Sequence, residues 1–134
     1  MIDIRFFLIF FIIIGNCYAE RAENNVDKLS QITTFSSGWN GFAGRQSEGE
    51  RLYKNIAENP DAEKKFKMIL ESDFATPEAK LYALCGLKEK NAEISYLLKF
   101  HNVDKSVSVL NGDILRKAEF SEVYNNILNN GCDI

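Results

Sequence analysis

Two cysteines and one histidine are the side chains of this sequence with the most specific chemistry. The chain holds three cysteines and one histidine, and Cys85, His101 and Cys132 lie in its second half. A zinc site needs more soft ligands at close spacing than these three provide. A redox pair needs an exposed thiol beside a second cysteine, whereas Cys85 lies in an apolar helical stretch. His101 ends an apolar stripe that favours packing, so no catalytic residue, metal site or cofactor is predicted.

Sequence motifs for other chemistries are missing. No Gly-Lys-Ser or Gly-Lys-Thr step follows the glycines, as a phosphate-binding loop would require, and no G-x-S-x-G elbow is present. The 19 Asp and Glu residues are numerous, but none lies in the apolar surroundings that acid catalysis requires, with Asp73 beside Phe74 the nearest case. We therefore predict that the chain is not an enzyme, with an envelope hydrolase that uses carboxylates as the competing class.

The first nineteen residues, MIDIRFFLIFFIIIGNCYA, have the three parts of an export signal. A short start that contains Arg5 is followed by an apolar run over residues 6–14 and by small residues before a cut after Ala19. We predict that the mature chain begins at Glu20. A transmembrane anchor is disfavoured because this run is far shorter than the roughly 20 apolar residues that a bilayer requires. A lipoprotein acylated on Cys17 ranks second, since Asn16 departs from the small residue expected before such a cysteine.

Export changes the interpretation of the cysteines. Cleavage after Ala19 leaves Cys85 and Cys132, and an even number of cysteines in an oxidising compartment favours a disulfide. That bond closes a loop of about 48 residues, for which the chain-entropy relation gives a stabilisation of about 4 kcal/mol. We therefore predict that Cys85 anchors the fold.

The charge of the chain argues against a nucleic acid partner. Its 16 Lys and Arg residues are dispersed among acids, and the net charge is -3. Binding to a phosphate backbone relies on a clustered excess of basic side chains. We therefore predict no nucleic acid partner, and the predicted mature form has no apolar run long enough for a stable membrane span.

A glycine-rich stretch, SSGWNGFAGRQSEG at residues 36–49, is predicted to form a loop. It carries four of the eight glycines together with Trp39 and Phe42. These two aromatic side chains either form an interaction surface or pin the loop to the core. The second interpretation is favoured, because large apolar side chains are usually buried.

Helical signals are strong on both sides of this loop. Apolar residues at helical spacing predict a short helix between Glu20 and Thr34. After the loop, a capping box at Ser47 opens an amphipathic helix that ends near Asn59. A second helix follows and ends by Asp73, so the two form a helical hairpin.

The segment TPEAKLYALCGLKEKN, residues 76–91, predicts the central helix of the fold. Thr76 is suited to the N-cap, and Pro77 to the first helical position. The helix is apolar nearly all round, which is typical of burial on several sides. We expect it to pack against both earlier helices and against a fourth one over residues 91–100.

Two alternatives are open for residues 106–117. The alternating Ser-Val-Ser-Val run and the Asn-Gly dipeptide favour a small β-hairpin that leans on the helices. Alternatively, Asp113 caps a short helix through Lys117. A final helix is predicted to start at a Ser121 cap and to end at Gly131.

These elements predict a mainly all-α protein, a compact bundle or array of about five helices built from helical hairpins, with one disulfide and with a small β-hairpin near residues 106–117 as one of the two alternatives there. The length fits one domain of ordinary size. We divide the chain into a signal peptide at residues 1–19, a polar and glycine-rich segment at residues 20–45, and a helical domain at residues 46–134.

The central segment carries two resemblances. TPEAKLYALCGL resembles the first helix of a HEAT-type α-helical repeat, in which a helix opening at proline carries small residues for close packing. With the following helix, this likeness covers Thr76 to Phe100. Together with the terminal Gly131 and Cys132, the segment is also similar to a group of small exported bacterial proteins named after a microcin gene cluster. That resemblance implies export and assigns no catalytic residues.

The function predicted from these features is protein binding. We expect a small exported helical protein, periplasmic or secreted, that acts as a non-catalytic binding or accessory factor of the bacterial envelope. A periplasmic immunity or inhibitor protein is an alternative, and the envelope hydrolase is another. This step rests on analogy of architecture, because the sequence contains no recognised site.

Overall fold

The computed structural model describes residues 23–36, 38, 44–94 and 105–132 of the chain. Helices and strands alternate within these ranges. The helices are α1 (residues 23–30), α2 (Glu48–Ala57), α3 (Ala62–Glu71), α4 (Pro77–Glu89) and α5 (Phe120–Asn130). The strands are β1 (Phe35–Ser36), β2 (Ser106–Asn111) and β3 (Ile114–Glu119).

The three strands form one mixed sheet in the order β1-β2-β3. The short strand β1 runs parallel to β2, with Phe35 beside Val109. The strands β2 and β3 are antiparallel and pair along their whole length, from Ser106 opposite Glu119 to Asn111 opposite Ile114. Phe35 and Val109 are buried, so one face of the sheet belongs to the hydrophobic core.

The predicted all-α class is therefore wrong. The sheet depends on pairing between Phe35 and Val109, which lie far apart in sequence. A two-residue strand such as β1 is too short to show a hydrophobic period, and only its distant partner makes it a strand. The segment predicted as polar and glycine-rich, residues 20–45, contributes this strand, while residues 46–134, predicted as helical, contribute the other two.

Of the two alternatives for residues 106–117, the structure forms the β-hairpin. A two-residue turn, Gly112-Asp113, joins its strands, and Gly112 has a φ of 59°. Asp113 is not among the residues with positive φ, so the glycine occupies the first turn position, as a type II′ turn requires. The alternative in which Asp113 caps a helix is wrong, because Ile114 and the residues after it are extended.

The helical hairpin formed by α2 and α3 is confirmed. Ser47 is the N-cap of α2, and its Oγ accepts a hydrogen bond from the Glu50 amide at 3.1 Å. This contact satisfies one of the amides that a helix start leaves without a backbone partner. The helix α3 begins at Ala62, directly after the turn that Pro60 and Asp61 form.

The predicted central position of α4 is also confirmed. Its residues are buried on every side, and the helix contacts α2, α3, α5 and the sheet. Thr76 is its N-cap and accepts from the Ala79 amide, with Pro77 at the helix start. Gly86 allows the closest approach, because a Cβ atom at this position would lie 2.2 Å from the Phe66 ring of α3.

The helix α1 attaches to the start of α4. The Thr76 amide donates to the Ser30 carbonyl at 2.9 Å, and the Thr76 hydroxyl donates to the Ile32 carbonyl. Leu29 is fully buried in the core. These contacts fix the chain on both sides of β1, since Phe35 follows three residues after Ile32.

The last helix begins earlier than predicted. Glu119 is the N-cap residue of α5 and Phe120 its first residue, so Ser121 lies inside the helix. The Phe120 amide donates to the Lys105 carbonyl at 2.8 Å and so continues the pairing of the hairpin into the helix start. Because β3 passes directly into α5, no loop separates the hairpin from the core.

The predicted fourth helix over residues 91–100 cannot be compared along its length. Residues 91–94 follow α4 as a turn and irregular chain. The rest of that segment, together with His101, lies outside the described residues. The HEAT-type likeness over Thr76 to Phe100 is therefore covered by the structure only as far as residue 94.

Candidate interaction site

One edge of the sheet is closed by a side chain of α4. The Tyr82 hydroxyl donates to the Ser36 carbonyl at 2.8 Å and accepts from the Ser36 amide at 3.0 Å. It also lies 3.3 Å from Ser47 Oγ. Because its own proton is directed to Ser36, the Ser47 hydroxyl is the donor in that contact. The tyrosine therefore satisfies both backbone groups of Ser36 that point away from β2.

Burial favours the neutral form of this tyrosine. Tyr82 is almost fully buried, and burial is the main cause that raises the pKa of its hydroxyl above the ordinary value. The neutral hydroxyl is the form that can donate to the Ser36 carbonyl. The closure of this edge therefore persists across the neutral pH range.

A second side chain of α4 acts on the same side of the sheet. Glu78 lies one helical turn before Tyr82 and is buried, and its Oε1 accepts from the Ser108 amide at 2.9 Å. This amide lies just before Val109, the residue at which β1 begins to pair. Glu78 thus accepts the hydrogen bond from the Ser108 amide that a neighbouring strand would accept if β1 were longer.

The opposite edge, formed by β3, follows another pattern. Lys105 and Phe120 form a hydrogen-bonded pair at the open end of the hairpin. Hydrogen-bonded and non-hydrogen-bonded pairs alternate along an antiparallel ladder, so the backbone groups of Leu115, Lys117 and Glu119 point away from β2. The contact of the Ser108 amide with Glu78 supports this assignment, because Ser108 lies opposite Lys117 and its amide points away from β3.

No fourth strand covers this edge in the described part of the chain, where β3 is the last strand of the sheet. Its first two residues are apolar and unusually exposed, with Ile114 70% and Leu115 63% accessible. Unpaired backbone groups beside exposed apolar side chains favour pairing with another chain. We call the exposed edge formed by Ile114–Glu119 the open edge.

The charges of the open edge have little compensation from β2. The sequence of β2, SVSVLN, contains no acid. Arg116 lies opposite Val109 and Lys117 opposite Ser108, so neither basic residue has a carboxylate directly across the ladder. Lys117 Nζ donates to Ser108 Oγ at 2.6 Å, and Arg116 forms an exposed contact of 3.4 Å with Glu122. Exposed ion pairs of this kind contribute little stability. The edge therefore presents basic side chains beside its apolar ones.

The predicted disulfide is confirmed. Cys85 and Cys132 are bonded, with their Cα atoms 5.8 Å apart, and the bond joins the middle of α4 to the residue after Gly131. Lys88 strengthens the same junction, because its Nζ donates to the Ile127 carbonyl at 2.6 Å and to the Leu128 carbonyl. A cation at the last carbonyls of a helix is favourable.

A cavity of about 290 Å³ lies beside this disulfide. Its lining comprises Cys85, Lys88, Glu89, Asn91, Gly131 and Cys132. The two sulfur atoms are bonded to each other, and the Lys88 ammonium is held by the carbonyls of α5. These groups therefore serve to hold the end of α5 against α4.

The other residues singled out in the sequence lie outside the described residues. This holds for Trp39 and Phe42, the predicted interaction surface, and for the signal cleavage after Ala19 with the alternative at Cys17. Their assignments stay predictions. The open edge was not predicted, although the apolar Ile114 and Leu115 directly after the Gly112-Asp113 turn were the available signal.

The described ranges contain no group of three or more His, Cys, Asp or Glu side chains arranged to hold a metal ion. None of the helices described has both the length and the apolarity needed to cross a membrane.

Comparison with known proteins finds no match among family models, curated proteins or solved structures. The resemblances to HEAT-type repeats and to the microcin-cluster proteins stay predictions. A function for this chain must therefore be argued from the geometry of its residues.

Proposed function

We propose that this chain is a non-catalytic protein-binding factor, exported to the bacterial envelope, whose binding surface is the open edge. The observation that carries the proposal is the unequal treatment of the two sheet edges. Tyr82 and Glu78 close the edge at β1, whereas no described residue pairs with the outward backbone groups of β3 at Leu115 and Lys117. Proteins commonly protect an edge strand that has no partner.

The rigidity of the support favours binding at this edge. The hairpin passes directly into α5 at Phe120, and the disulfide ties the end of α5 to α4. A preordered strand loses little conformational entropy when a partner binds, which increases affinity. The disulfide also fits a protein that works in an oxidising compartment.

The use of the buried polar side chains supports a non-catalytic role. Tyr82 and Glu78 bind backbone groups of the sheet, and Lys88 binds carbonyls of α5. Each of these groups is occupied by a contact that stabilises the fold. The exposed Ile114 and Leu115 side chains of the hairpin are instead accessible to a partner.

Binding to an identified partner tests this proposal. The oxidised, exported chain is used to isolate an envelope protein, which is then purified separately and titrated by calorimetry. We expect Ile114→Asp combined with Leu115→Asp to weaken binding at least about tenfold, because the apolar contact is lost and a charge is desolvated. Both side chains are exposed, so the fold is retained.

Phe74→Asp is the matched control for this titration. Phe74 is 95% exposed in the connection between α3 and α4, away from β3. We expect this variant to bind as the unchanged chain does. The proposal is wrong if no purified envelope protein binds, or if Phe74→Asp abolishes binding while the hairpin variant retains it.

A further inference from the structure

We propose that the open edge binds an extended segment of the partner as a fourth, antiparallel strand. The partner sequence is selected by the order of the acidic Glu119, the basic Lys117 and the apolar Leu115 along β3. This inference rests on the proposed protein-binding function and specifies its partner. The amides of these three residues and the carbonyls of Leu115 and Lys117 point away from β2, so an added strand can form hydrogen bonds with each residue. The Glu119 carbonyl instead accepts the first hydrogen bond of α5, because Glu119 is its N-cap. Their side chains also share one face, since they alternate along β3.

The side chains of these residues set the sequence that fits. A residue directly opposite Lys117 is favoured when it is acidic, and one opposite Glu119 when it is basic. The exposed Leu115 favours an apolar residue. Antiparallel pairing is slightly more stable per residue than parallel pairing. In the antiparallel direction, the partner segment therefore carries basic, acidic and apolar residues in that order, each separated by one residue.

A second copy of this chain fits the edge less well. In the two symmetric antiparallel registers that use most of β3, either Arg116 lies opposite Arg116 of the copy or Lys117 lies opposite its Lys117. Like charges directly opposite each other are destabilising. The registers that avoid this conflict pair only about half of the strand, so the charge pattern favours a different chain.

The other face of β3 adds a weaker requirement on the partner sequence. Ile114 and Arg116 lie on this face, with Ile114 largely exposed and Arg116 beside Glu122. The residue opposite Ile114 is therefore favoured when it is apolar. Arg116 already contacts a carboxylate, so a neutral β-forming residue such as threonine is suitable opposite it.

Two capped peptides of identical composition test the charge order by fluorescence anisotropy. The first has the core lysine, valine, glutamate, threonine, valine and isoleucine, which places lysine opposite Glu119 and glutamate opposite Lys117. The second exchanges the lysine and the glutamate. We expect the oxidised chain to bind the first peptide about tenfold more tightly, because the exchange turns two favourable cross-strand pairs into unfavourable ones.

Two protein variants extend this test. Lys117→Glu combined with Glu119→Lys should reverse the preference between the peptides. Lys117→Pro should abolish binding of both, because it removes an outward N–H while the inward hydrogen bonds of β3 are retained. The amide of Lys117→Ala is intact, so this variant should bind the first peptide more weakly than the unchanged chain but more tightly than Lys117→Pro.

The outcomes separate this inference from the proposed function. Equal binding of both peptides, an unchanged preference in the charge-reversed variant, or binding of neither peptide at millimolar concentration overturns the inference. If the purified partner still depends on Ile114 and Leu115 in that case, the proposed function stands without strand addition. A dimer of the unchanged chain in sedimentation equilibrium that Lys117→Pro abolishes assigns the edge to a second copy and also overturns the inference.

Discussion

Replacing Cys85 and Cys132 together by alanine is expected to lower the free energy of unfolding by about 4 kcal/mol. The disulfide links residues that are 47 positions apart, so it restricts a long loop of the unfolded chain. The loss is a large part of the roughly 5 to 15 kcal/mol that stabilises an ordinary domain. Urea unfolding followed by circular dichroism measures the change.

Reduction of the unchanged chain is the control for that measurement. The reduced protein retains both sulfur atoms, so its loss of stability reports the covalent link without the small cavity that alanine leaves at the buried Cys85. We expect reduction to account for most of the effect. A loss below about 1 kcal/mol on reduction would contradict a stabilising role for the bond.

Tyr82→Phe is expected to destabilise the protein by about 2 kcal/mol, although it removes a single oxygen atom. The substitution removes the hydroxyl that accepts from the buried Ser36 amide and donates to its carbonyl. Losing a hydrogen bond to a buried backbone group costs about 1 to 3 kcal/mol. Chemical denaturation under oxidising conditions measures the loss.

Tyr124→Phe provides a matched control. The Tyr124 hydroxyl is also buried, but it has no hydrogen-bond partner in the described part of the chain. Removing it should leave stability unchanged within about 0.5 kcal/mol or increase it, because a buried polar group without a partner is itself unfavourable. Similar losses for the two variants would show that Tyr82 acts by packing and that its hydrogen bonds do not close the edge.

Local sequence signals were sufficient for much of the helical structure. Ser47 and Thr76 were predicted as N-caps, and both accept hydrogen bonds from the first turn of the helix that follows. These contacts involve neighbouring residues, so residue type and spacing determine them. The disulfide was also predicted from the sequence, because the expected cleavage after Ala19 leaves two cysteines, which have one way to pair.

The sheet was missed because its pairing is not local. Phe35 and Ser36 form a strand because they pair with Val109 and Leu110. A two-residue segment contains no pattern that predicts this distant contact. The end of the hairpin was missed for a related reason. Glu119 belongs both to the ladder and to the helix start, so α5 begins without the Ser121 cap that its sequence favours.

The candidate site could not be predicted from the sequence either. Whether an edge strand is open depends on what else packs beside the sheet. No sequence signal assigned a role to Glu78 or Tyr82, yet the two side chains close one edge of the sheet from α4. Only their positions in three dimensions show that β3 has no comparable cover in the described chain.

Native-state amide hydrogen exchange followed by NMR tests the unequal sheet edges most directly. The amides of Ser36 and Ser108, which donate to Tyr82 and Glu78, should be strongly protected. The amides of Leu115 and Lys117, which point away from β2, should exchange at rates close to those of an unstructured chain. Strong protection of Leu115 and Lys117, or rapid exchange of Ser36 and Ser108, would contradict the account.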